Sequence, residues 1–328
     1  MNYLYYDSGT TNTRLYLFKD LQLIDSSNKK VGSRDSALSG SNKALLRSLR
    51  EMMDEMCEKH GLSPEQIEEI WMSGMISAPT GIIEIPHLCV PVTLSRLKEN
   101  VTSFFESSYF QRTIFIIPGV KTTCEQPISL ENFHSLNNMR GEETEIFGIL
   151  QSYPALCDNC IMIMPGSHTQ IAQIRNGAIT DIISTITGEL YSAVKNNTIL
   201  STSLPASLSE AIEPELLCRG YENLKVLGFN RALYTVRTME LFMETTPAQR
   251  HSYFEGILNG GVLNVIFRTY RQETIRNIAV YGSEESIGIF RILFEKYYPK
   301  CTFTGISSQR AVPFSVNGFL SIKCCKTV

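Results

Sequence analysis

The sequence lacks the features of membrane, exported and nucleic-acid-binding proteins. No apolar run approaches the roughly twenty residues of a transmembrane helix, and the longest patches, such as residues 161–164, have the length of a strand. No basic segment followed by an apolar run opens the chain, so we expect no secretory signal and a cytoplasmic protein. Thirty basic and thirty-three acidic residues give a formal net charge of -3. That balance offers no basic surface for a nucleic-acid backbone.

The glycine signatures of several nucleotide-binding classes are also missing. No GxxxxGK[ST] string occurs, which excludes a Walker A loop. No GxGxxG string occurs either, so a protein-kinase-type kinase and a Rossmann dehydrogenase both lose their main support. Cys157 and Cys160 have CxxC spacing without a second such pair or a histidine pair, and we interpret the nine cysteines as reduced thiols rather than as a zinc site or disulfides.

What the sequence does contain is one hairpin pattern in each half. The chain has 328 residues, 43% of them apolar, which is enough for about two domains. Apolar residues 3–6, a turn-rich stretch and the alternating Leu15 and Leu17 predict the first hairpin. Residues 161–164, a turn, and then Ile171 and Ile174 predict the second. We expect an N-terminal domain over residues 1–151 and a C-terminal domain over residues 152–328.

Helices and further strands follow from periodicity and capping signals. Four apolar residues at helical spacing, between a capping Asn42 and Gly61, predict an amphipathic helix over about 43–60. The remaining predicted elements are a strand ending at Gly74, a polar helix-like stretch over 93–107, a buried strand over 113–117, a helix beginning near residue 142, a helix-rich region over 189–272, a strand over 277–281 and a final apolar helix over 313–325.

The tip of the first hairpin, residues 7–14, has the chemistry of a phosphate loop. A tight turn at Gly9 lets backbone N–H groups face an anion, and Arg14 adds a fixed positive fork. Further donors come from Thr10, Thr11 and Asn12. Asp7 would repel a bare phosphate, so its presence at the strand end implies Mg²⁺ between them. A polar β-turn with a capping aspartate is the simpler interpretation of the same residues.

The second tip, residues 165–170, could hold the same polyphosphate from the other domain through Gly166, Ser167 and His168. A hydrogen-bonded structural role is the alternative for His168. Gly282 and Ser283 follow a predicted strand and precede a helix, a position that often admits the base or ribose of a nucleotide.

Five strings in order resemble the 2-dehydro-3-deoxygalactonokinase family of the sugar-kinase, heat-shock-ATPase and actin superfamily. They are DSGTTNTR at 7–14, IIPG at 116–119, MRGEET at 139–144, MPGSH at 164–168 and TGEL at 187–190. The resemblance implies an α/β fold of two ribonuclease-H-like (actin/hexokinase-type) domains around a central nucleotide cleft. It also implies an ATP- and Mg²⁺-dependent carbohydrate kinase that phosphorylates the terminal (6-) hydroxyl of 2-dehydro-3-deoxy-D-galactonate in galactonate catabolism.

The same resemblance suggests roles for particular residues. Glu142 occupies the place of the catalytic carboxylate, with Glu143 as the alternative, although acids also suit a helix start without any catalytic role. Arg140 is a candidate for binding the substrate carboxylate or the transferred phosphoryl group; a surface ion pair with a neighbouring glutamate is its simpler interpretation. The sugar pocket would be lined by Gly74, Ser77 and Gly119.

Two departures from the family pattern leave the substrate open. Gln170 stands where the family often has a basic residue, and the loop after Gly74 continues as residues 77–80, SAPT, rather than in a glycine-rich form. A kinase for another small sugar acid or amino sugar is the first alternative. An actin-like nucleotide switch and a sugar-binding regulator are the others. The expected partners are a sugar acid and ATP, and a homo-oligomer stays open.

Overall fold

The chain forms two compact units in a computed structural model that describes residues 1–122, 127–205 and 211–325. The first unit comprises the described residues of Met1–Cys157, Asn176–Ile182 and Ala311–Val328, and the second comprises those of Asp158–Arg175 and Ile183–Arg310. The last residues of the chain therefore return to the unit that contains the first ones.

The elements of the first unit up to α4 are β1 (Asn2–Ser8), β2 (Thr13–Lys19), β3 (Gln22–Lys29), α1 (Ser33–Ser39), α2 (Lys43–Lys59), β4 (Ile67–Gly74), β5 (Leu88–Cys89), α3 (Leu94–Glu99), β6 (Thr102–Glu106), β7 (Arg112–Ile116), β8 (Val120–Lys121), β9 (Asn138–Met139) and α4 (Glu142–Ser152). Six of the strands form a mixed sheet of order β3-β2-β1-β4-β7-β6. β1 pairs antiparallel with β2 and parallel with β4. The short strands β5, β8 and β9 form a separate small sheet.

The elements that follow are β10 (Asn159–Met164), β11 (Thr169–Arg175), β12 (Ala178–Thr185), α5 (Thr187–Asn197), α6 (Pro214–Leu227), α7 (Phe229–Phe242), α8 (Pro247–Thr269), β13 (Asn277–Gly282), α9 (Glu284–Tyr297) and β14 (Thr302–Ser307). Their strands form a second sheet of order β12-β11-β10-β13-β14, with β10 antiparallel to β11 and parallel to β13. The final helix, α10 (Phe314–Cys324), belongs to the first unit.

Both sheets place the first strand of a hairpin between its antiparallel partner and a parallel strand, which is the ribonuclease-H-like order. The two predicted hairpins are confirmed, since β1 pairs with β2 and β10 with β11. The loops after β1 and β10 lie at the same place in their respective sheets. One architecture thus presents a hydroxyl-rich tip in each unit.

The predicted amphipathic helix is confirmed as α2, which buries one face against the first sheet. Leu45, Leu49, Met52 and Met56 are all buried in one core cluster with residues of β1, β2 and β4. The helix ends at Lys59, and Gly61 adopts the left-handed conformation with a φ of 63° just beyond it. Burial of this apolar face fixes α2 on the sheet.

Helix α10 packs on α4 through two glycines. A side chain at Gly148 would lie 2.1 Å from the carbonyl oxygen of Phe314, and one at Gly318 would lie 1.8 Å from that of Thr144. The Phe319 ring stacks on Tyr5 of β1 with centroids 4.6 Å apart. The predicted final helix is thus confirmed, and it completes the core of the first unit.

The predicted helix-like stretch over 93–107 is wrong in its second half. α3 ends at Glu99, and Thr102–Glu106 form β6, paired antiparallel with β7. The strand alternates partly buried Phe104 with exposed Ser103 and Phe105, a two-residue period that a polar composition conceals. Residues 123–126, between the predicted strand over 113–117 and the predicted helix near residue 142, lie outside the described residues. Among the helices that the structure describes, none is long and apolar enough to cross a membrane.

Candidate active site

The first tip is a tight turn whose inner hydroxyls are engaged. The N–H of Gly9 donates to the Asn12 carbonyl at 2.8 Å, which closes the turn. The hydroxyls of Ser8 and Thr13 lie 2.9 Å apart, and Thr13 donates to the Val31 carbonyl at 2.8 Å. The predicted phosphate-binding residues Thr10, Thr11 and Asn12 are exposed. Among these exposed residues, the Asn12 amide donates to the Thr11 hydroxyl at 3.1 Å. Buried hydroxyls therefore shape the turn, and its outer side chains are accessible to a ligand.

The start of α1 holds the first tip from behind. The N–H groups of Ser33 and Arg34 donate to the carbonyls of Gly9 and Thr10, at 3.3 and 3.0 Å. A side chain on Gly32 would lie only 2.5 Å from the carbonyl oxygens of these two tip residues. The carbonyls of Gly9 and Thr10 are thus held by the start of α1.

Asp7 and Arg14 face each other at the base of the first tip. They are register partners between β1 and β2, and the Arg14 Nη1 lies 3.7 Å from the Asp7 Oδ2. Burial raises the pKa of Asp7, and the Arg14 guanidinium and the Ser315 hydroxyl oppose that rise. No group of three or more His, Cys, Asp or Glu side chains in the described ranges could hold a metal ion. A single carboxylate suits Mg²⁺, which usually keeps several waters and shares its ligands with phosphates.

Two glycines bring the ends of β1 and β4 against the start of α4. Gly74 is the register partner of Ser8, and a side chain there would lie 2.4 Å from the Ser8 carbonyl oxygen. Gly74 and Gly141 both have positive φ, of 83° and 117°. A side chain on Gly141 would come within 3.4 Å of the Gly74 Cα. Gly74 is therefore a structural neighbour of the predicted catalytic acids.

The two predicted catalytic acids have different environments in the first turn of α4. Glu143 is fully buried, and the Gly141 N–H donates to both of its carboxyl oxygens, at 2.9 and 2.8 Å. Burial, and secondly the charge of Glu142, raise the pKa of Glu143 to about 8. Glu142 is only partly buried, and its Oε2 accepts from the Arg140 N–H at 3.1 Å. Only Glu142 thus has an exposed part of its surface.

The guanidinium of Arg140 is directed at the loop that follows β4. Its Nη1 donates to the Ser77 carbonyl at 2.6 Å and to the Ser77 hydroxyl. Its Nη2 donates to the Ile85 carbonyl at 3.1 Å and to the His87 Nδ1 at 3.2 Å. These four hydrogen bonds use the N–H groups of both terminal nitrogens. Arg140 and Ser77, predicted as substrate-binding residues, are brought together, with the arginine acting as a brace for the loop.

His87 is a site residue that no sequence pattern selected. Burial, together with the charges of Arg140 and Lys121, lowers the pKa of His87 to about 4, so the imidazole is neutral at pH 7. Since arginine can only donate, Nδ1 is the acceptor and Nε2 carries the proton. The Asn138 amide group, whose nitrogen lies 3.3 Å from Nε2, must then present its oxygen to the ring instead. A side chain on the predicted Gly119 would lie 2.8 Å from the His87 ring. Gly119 thus makes room for a neutral histidine.

In the second unit, the second tip is built against the start of α5. The N–H of Glu189 donates to the Ser167 carbonyl at 2.9 Å, and a side chain on Gly188 would lie 2.1 Å from the Gly166 carbonyl oxygen. The His168 Nε2 lies 3.5 Å from the Glu189 Oε1, and both side chains are more than half exposed, at 51% and 62%. The predicted residues of this tip are therefore grouped at a helix N-terminus, which favours anions.

A cavity of about 200 Å³ adjoins the second tip within the same unit. Its lining residues come from the second tip, α5, α8 and α9, and include Gly166, Thr187, Gly188, Tyr191, Glu255, Asn259, Glu285 and Ser286. The predicted Ser283 caps α9 by accepting from the Ser286 N–H at 3.2 Å. A side chain on the predicted Gly282 would lie 3.5 Å from the side chains of Pro165 and Ser286. The predicted adenosine loop thus borders the cavity, whereas the residues of α8 that line it were missed.

Gln170 lies inside the second sheet. It is only 7% exposed, and its Oε1 accepts a hydrogen bond from the Ser184 hydroxyl at 2.8 Å. A charged side chain at this position would need a buried partner. The neutral Gln170 amide instead accepts a hydrogen bond from Ser184 of the neighbouring strand β12.

Several known proteins are similar to this chain in sequence. A family model described as 2-keto-3-deoxy-galactonokinase matches residues 7–311. The 2-dehydro-3-deoxygalactonokinase of Escherichia coli (strain K12) is 27% identical over 259 residues, which are 79% of this chain and 78% of the relative. A Rhizobium meliloti (strain 1021) protein named for the same activity is 25% identical over 195 residues, 58% of this chain and 59% of its own.

A solved structure extends the likeness to the fold. A Sinorhizobium meliloti protein that also carries the 2-dehydro-3-deoxygalactonokinase name superposes with a TM-score of 0.74 at 19% identity, covering 97% of this chain and 94% of its own. This likeness confirms the predicted α/β fold class. The match over nearly the whole chain confirms the family that the five strings predicted, and the protein belongs to the 2-keto-3-deoxy-galactonokinase family of carbohydrate kinases.

Proposed function

We propose that the protein transfers the γ-phosphoryl group of ATP to the terminal (6-) hydroxyl of 2-dehydro-3-deoxy-D-galactonate. The observation that carries the proposal is the start of α4, where a partly exposed carboxylate follows a glycine that contacts the end of β4. Family membership supports the acceptor and the use of ATP. We further propose that the enzyme is cytoplasmic, that residues 1–151 carry the catalytic acid, and that residues 152–328 carry the second tip.

Glu142 is the proposed general base. Its carboxylate orients the acceptor hydroxyl and takes its proton as the hydroxyl oxygen bonds to the γ-phosphorus and the bond to the bridging oxygen breaks. The Arg140 N–H holds one carboxyl oxygen, and the N-terminus of α4 stabilises the negative charge. Glu143, whose pKa is raised to about 8 by burial, is protonated at pH 7 and so cannot accept this proton.

The chain's other predicted residues bind and orient the substrates. The N–H groups of the first and second tips bind the polyphosphate, with Arg14 and His168 beside them. Asp7 is the proposed ligand of Mg²⁺, which neutralises phosphate charge when bound. Arg140 holds the loop of Ser77 and His87 in place, and that loop forms one wall of the proposed acceptor pocket.

The experiment is a comparison of Glu142→Gln with Glu143→Gln in a coupled assay of ADP release. We expect Glu142→Gln to lower kcat at least about a hundredfold, in the range of general-base catalysis, with the Kd for ADP unchanged. Glu143→Gln should keep kcat within about tenfold of wild type, because the amide resembles the protonated acid that it replaces. A Glu142→Gln variant with near-normal kcat would refute the base assignment.

A second assay with a panel of acceptors tests the substrate. The wild-type enzyme should prefer 2-dehydro-3-deoxygalactonate to other aldonic acids, keto-deoxy acids and amino sugars by well over tenfold in kcat/KM. A stronger preference for another acceptor would identify a different sugar kinase. The absence of acceptor-dependent ADP release with every member of the panel would instead favour a nucleotide switch or a sugar-binding regulator.

A further inference from the structure

The outward face of α7 is apolar and exposed. Seven of the exposed large apolar side chains lie in one short segment of the second unit, and they are Val226, Leu227, Phe229, Tyr234, Leu241, Phe242 and Met243. Val226 and Phe242 are 81% and 80% exposed. Single apolar side chains are normal on a protein surface, whereas a contiguous cluster of them marks an interaction site.

The opposite face of α7 already packs in the core of the second unit. Ala232, Val236 and Met239 are buried in a cluster that also contains residues of α6 and α8. A helix that is apolar on both faces is expected to be covered on both. Within the described part of the chain only one of the two faces of α7 is covered, so the fold leaves the outward face to another molecule.

The spacing of the outward side chains favours a second helix as that molecule. Every third or fourth residue of α7 contributes to the face, namely Arg231, Tyr234, Thr238 and Leu241. Alternating steps of three and four residues bring side chains to the side of a helix that packs against a neighbouring helix. Leu227, at the end of α6, stands one heptad before Tyr234 and continues the same pattern.

The charges at the ends of α7 favour a second copy of the same helix. Arg231 lies in the first turn, and Glu244 lies just beyond the last. The helix dipole prefers the reverse arrangement, with acids at the start and bases at the end. Neither side chain forms an ion pair with another described residue, whereas Arg237 of the same helix is paired with Glu240. An antiparallel copy of α7 would bring a carboxylate to each of the two arginines.

The exposed area is close to the area that a dimer needs. Since a whole aromatic residue has roughly 150–250 Å² of surface, the seven side chains together leave on the order of 700 Å² uncovered. The largest apolar patch of a typical monomer is about 300–600 Å². A stable interface buries about 800 Å² on each partner. The outward face of α7 therefore suits one half of a dimer interface.

We propose that two copies of the chain form a dimer by packing their α7 helices antiparallel about a two-fold axis. Such an interface uses the same patch on both copies, so each contact occurs twice. Tyr234 of one copy then lies beside Leu241 of the other, and Arg231 lies beside Glu244, because both pairs have the same midpoint in α7. The proposal is independent of the phosphoryl transfer, since α7 contributes no residue to either tip or to the start of α4.

The first test measures the mass of the full chain by sedimentation velocity over a dilution series. The wild type should have twice the 36.9 kDa of one chain. Tyr234→Asp and Leu241→Asp should each raise the Kd of the dimer at least about a hundredfold, because each change introduces a charge at both copies of the contact. Leu130→Asp is the matched control, since Leu130 is 86% exposed in the first unit, and it should leave the Kd unchanged. Far-ultraviolet circular dichroism should be the same for all four proteins.

The second test reverses the charges and so examines the antiparallel arrangement. Arg231→Glu and Glu244→Arg should each raise the Kd at least about tenfold, because each variant places like charges together in its own dimer. An equimolar mixture of the two variants should form mixed dimers whose Kd is within about threefold of the wild type, since opposite charges then meet at both contacts.

Three results would overturn the proposal. A wild type that is monomeric at every soluble concentration would show that no second copy covers the face. A dimer that both aspartate substitutions leave intact would place the interface elsewhere. A mixture of the two charge variants that associates no better than either variant alone would exclude the antiparallel pairing.

Discussion

Replacing Glu143 by glutamine should make the stability of the first unit less dependent on pH. The pKa of this fully buried carboxyl is raised from 4.5 to about 8, mainly by burial and then by the charge of Glu142. Between these two values the folded protein retains a proton that the unfolded chain releases. The stability contributed by the protonated form is therefore complete below about pH 4.5 and is lost as the pH rises towards 8.

The magnitude follows from the two pKa values. A pKa raised from 4.5 to about 8, at about 1.4 kcal/mol per pH unit, corresponds to about 5 kcal/mol as an upper limit. That is a large part of the roughly 5–15 kcal/mol that stabilises a typical protein. An amide has the shape of the protonated acid and cannot ionise. We therefore expect Glu143→Gln to match the wild type near pH 4.5 and to exceed it by several kcal/mol at pH 8.

The assay is urea unfolding, followed by tryptophan fluorescence, at several values from about pH 4.5 to about pH 8. Trp71 is the sole tryptophan of the chain and lies buried in β4, so it reports on the unit that contains Glu143. Glu142→Gln should reduce the pH dependence in part, because it removes a charge that raises the pKa of Glu143. The exposed Glu55 of α2 provides a neutral control, Glu55→Gln. Parallel curves of unfolding free energy against pH for the wild type and Glu143→Gln would refute the reasoning.

Three further substitutions test the geometry around the two tips and the loop after β4. Gly74→Ala should cost at least about 3 kcal/mol of stability in the same urea assay, because its side chain would lie 2.4 Å from the backbone of β1. Gly61→Ala is the control: its side chain would have no atom within 4 Å, so it should cost about 1 kcal/mol. Gly188→Ala should raise the KM for ATP about tenfold or more while leaving the KM of the acceptor unchanged, since it displaces the second tip; an unchanged KM for ATP would contradict this role. Arg140→Lys should lower kcat/KM for the acceptor at least about tenfold in the coupled assay, because an ammonium group cannot reproduce the forked contacts to the loop. A normal value, with ATP kinetics also normal, would show that the loop needs no brace.

The architecture was predictable because its signals are local. Alternation around Leu15 and Ile171 indicates hairpins, and the spacing from Leu45 to Met56 indicates a helix, without reference to any distant residue. The stretch over 93–107 failed for the opposite reason. Its second half becomes a strand only because β7 offers an antiparallel partner, and that contact is tertiary.

The roles of individual site residues depended on contacts that sequence patterns do not encode. Adjacent Glu142 and Glu143 look equivalent in sequence, yet only one is fully buried and bonded through both oxygens to the Gly141 N–H. The partner of Arg140 at His87 lies 53 residues away along the chain. Glu255 lies in a helical region where an acid at any surface position would look the same. Burial and long-range pairing, rather than residue type, distinguish these groups.

The aromatic contacts of α10 have a consequence for folding during translation. Phe319 stacks on Tyr5 at 4.6 Å and contacts Phe18 and Trp71 at centroid distances of 5.2 and 5.7 Å. The strands that bear these three rings leave the ribosome some 250 residues or more before their partner does. Until then one face of the sheet is left uncovered, so the first unit cannot complete its core while the second is still being translated. These early strands are thus among the last to reach their final packing.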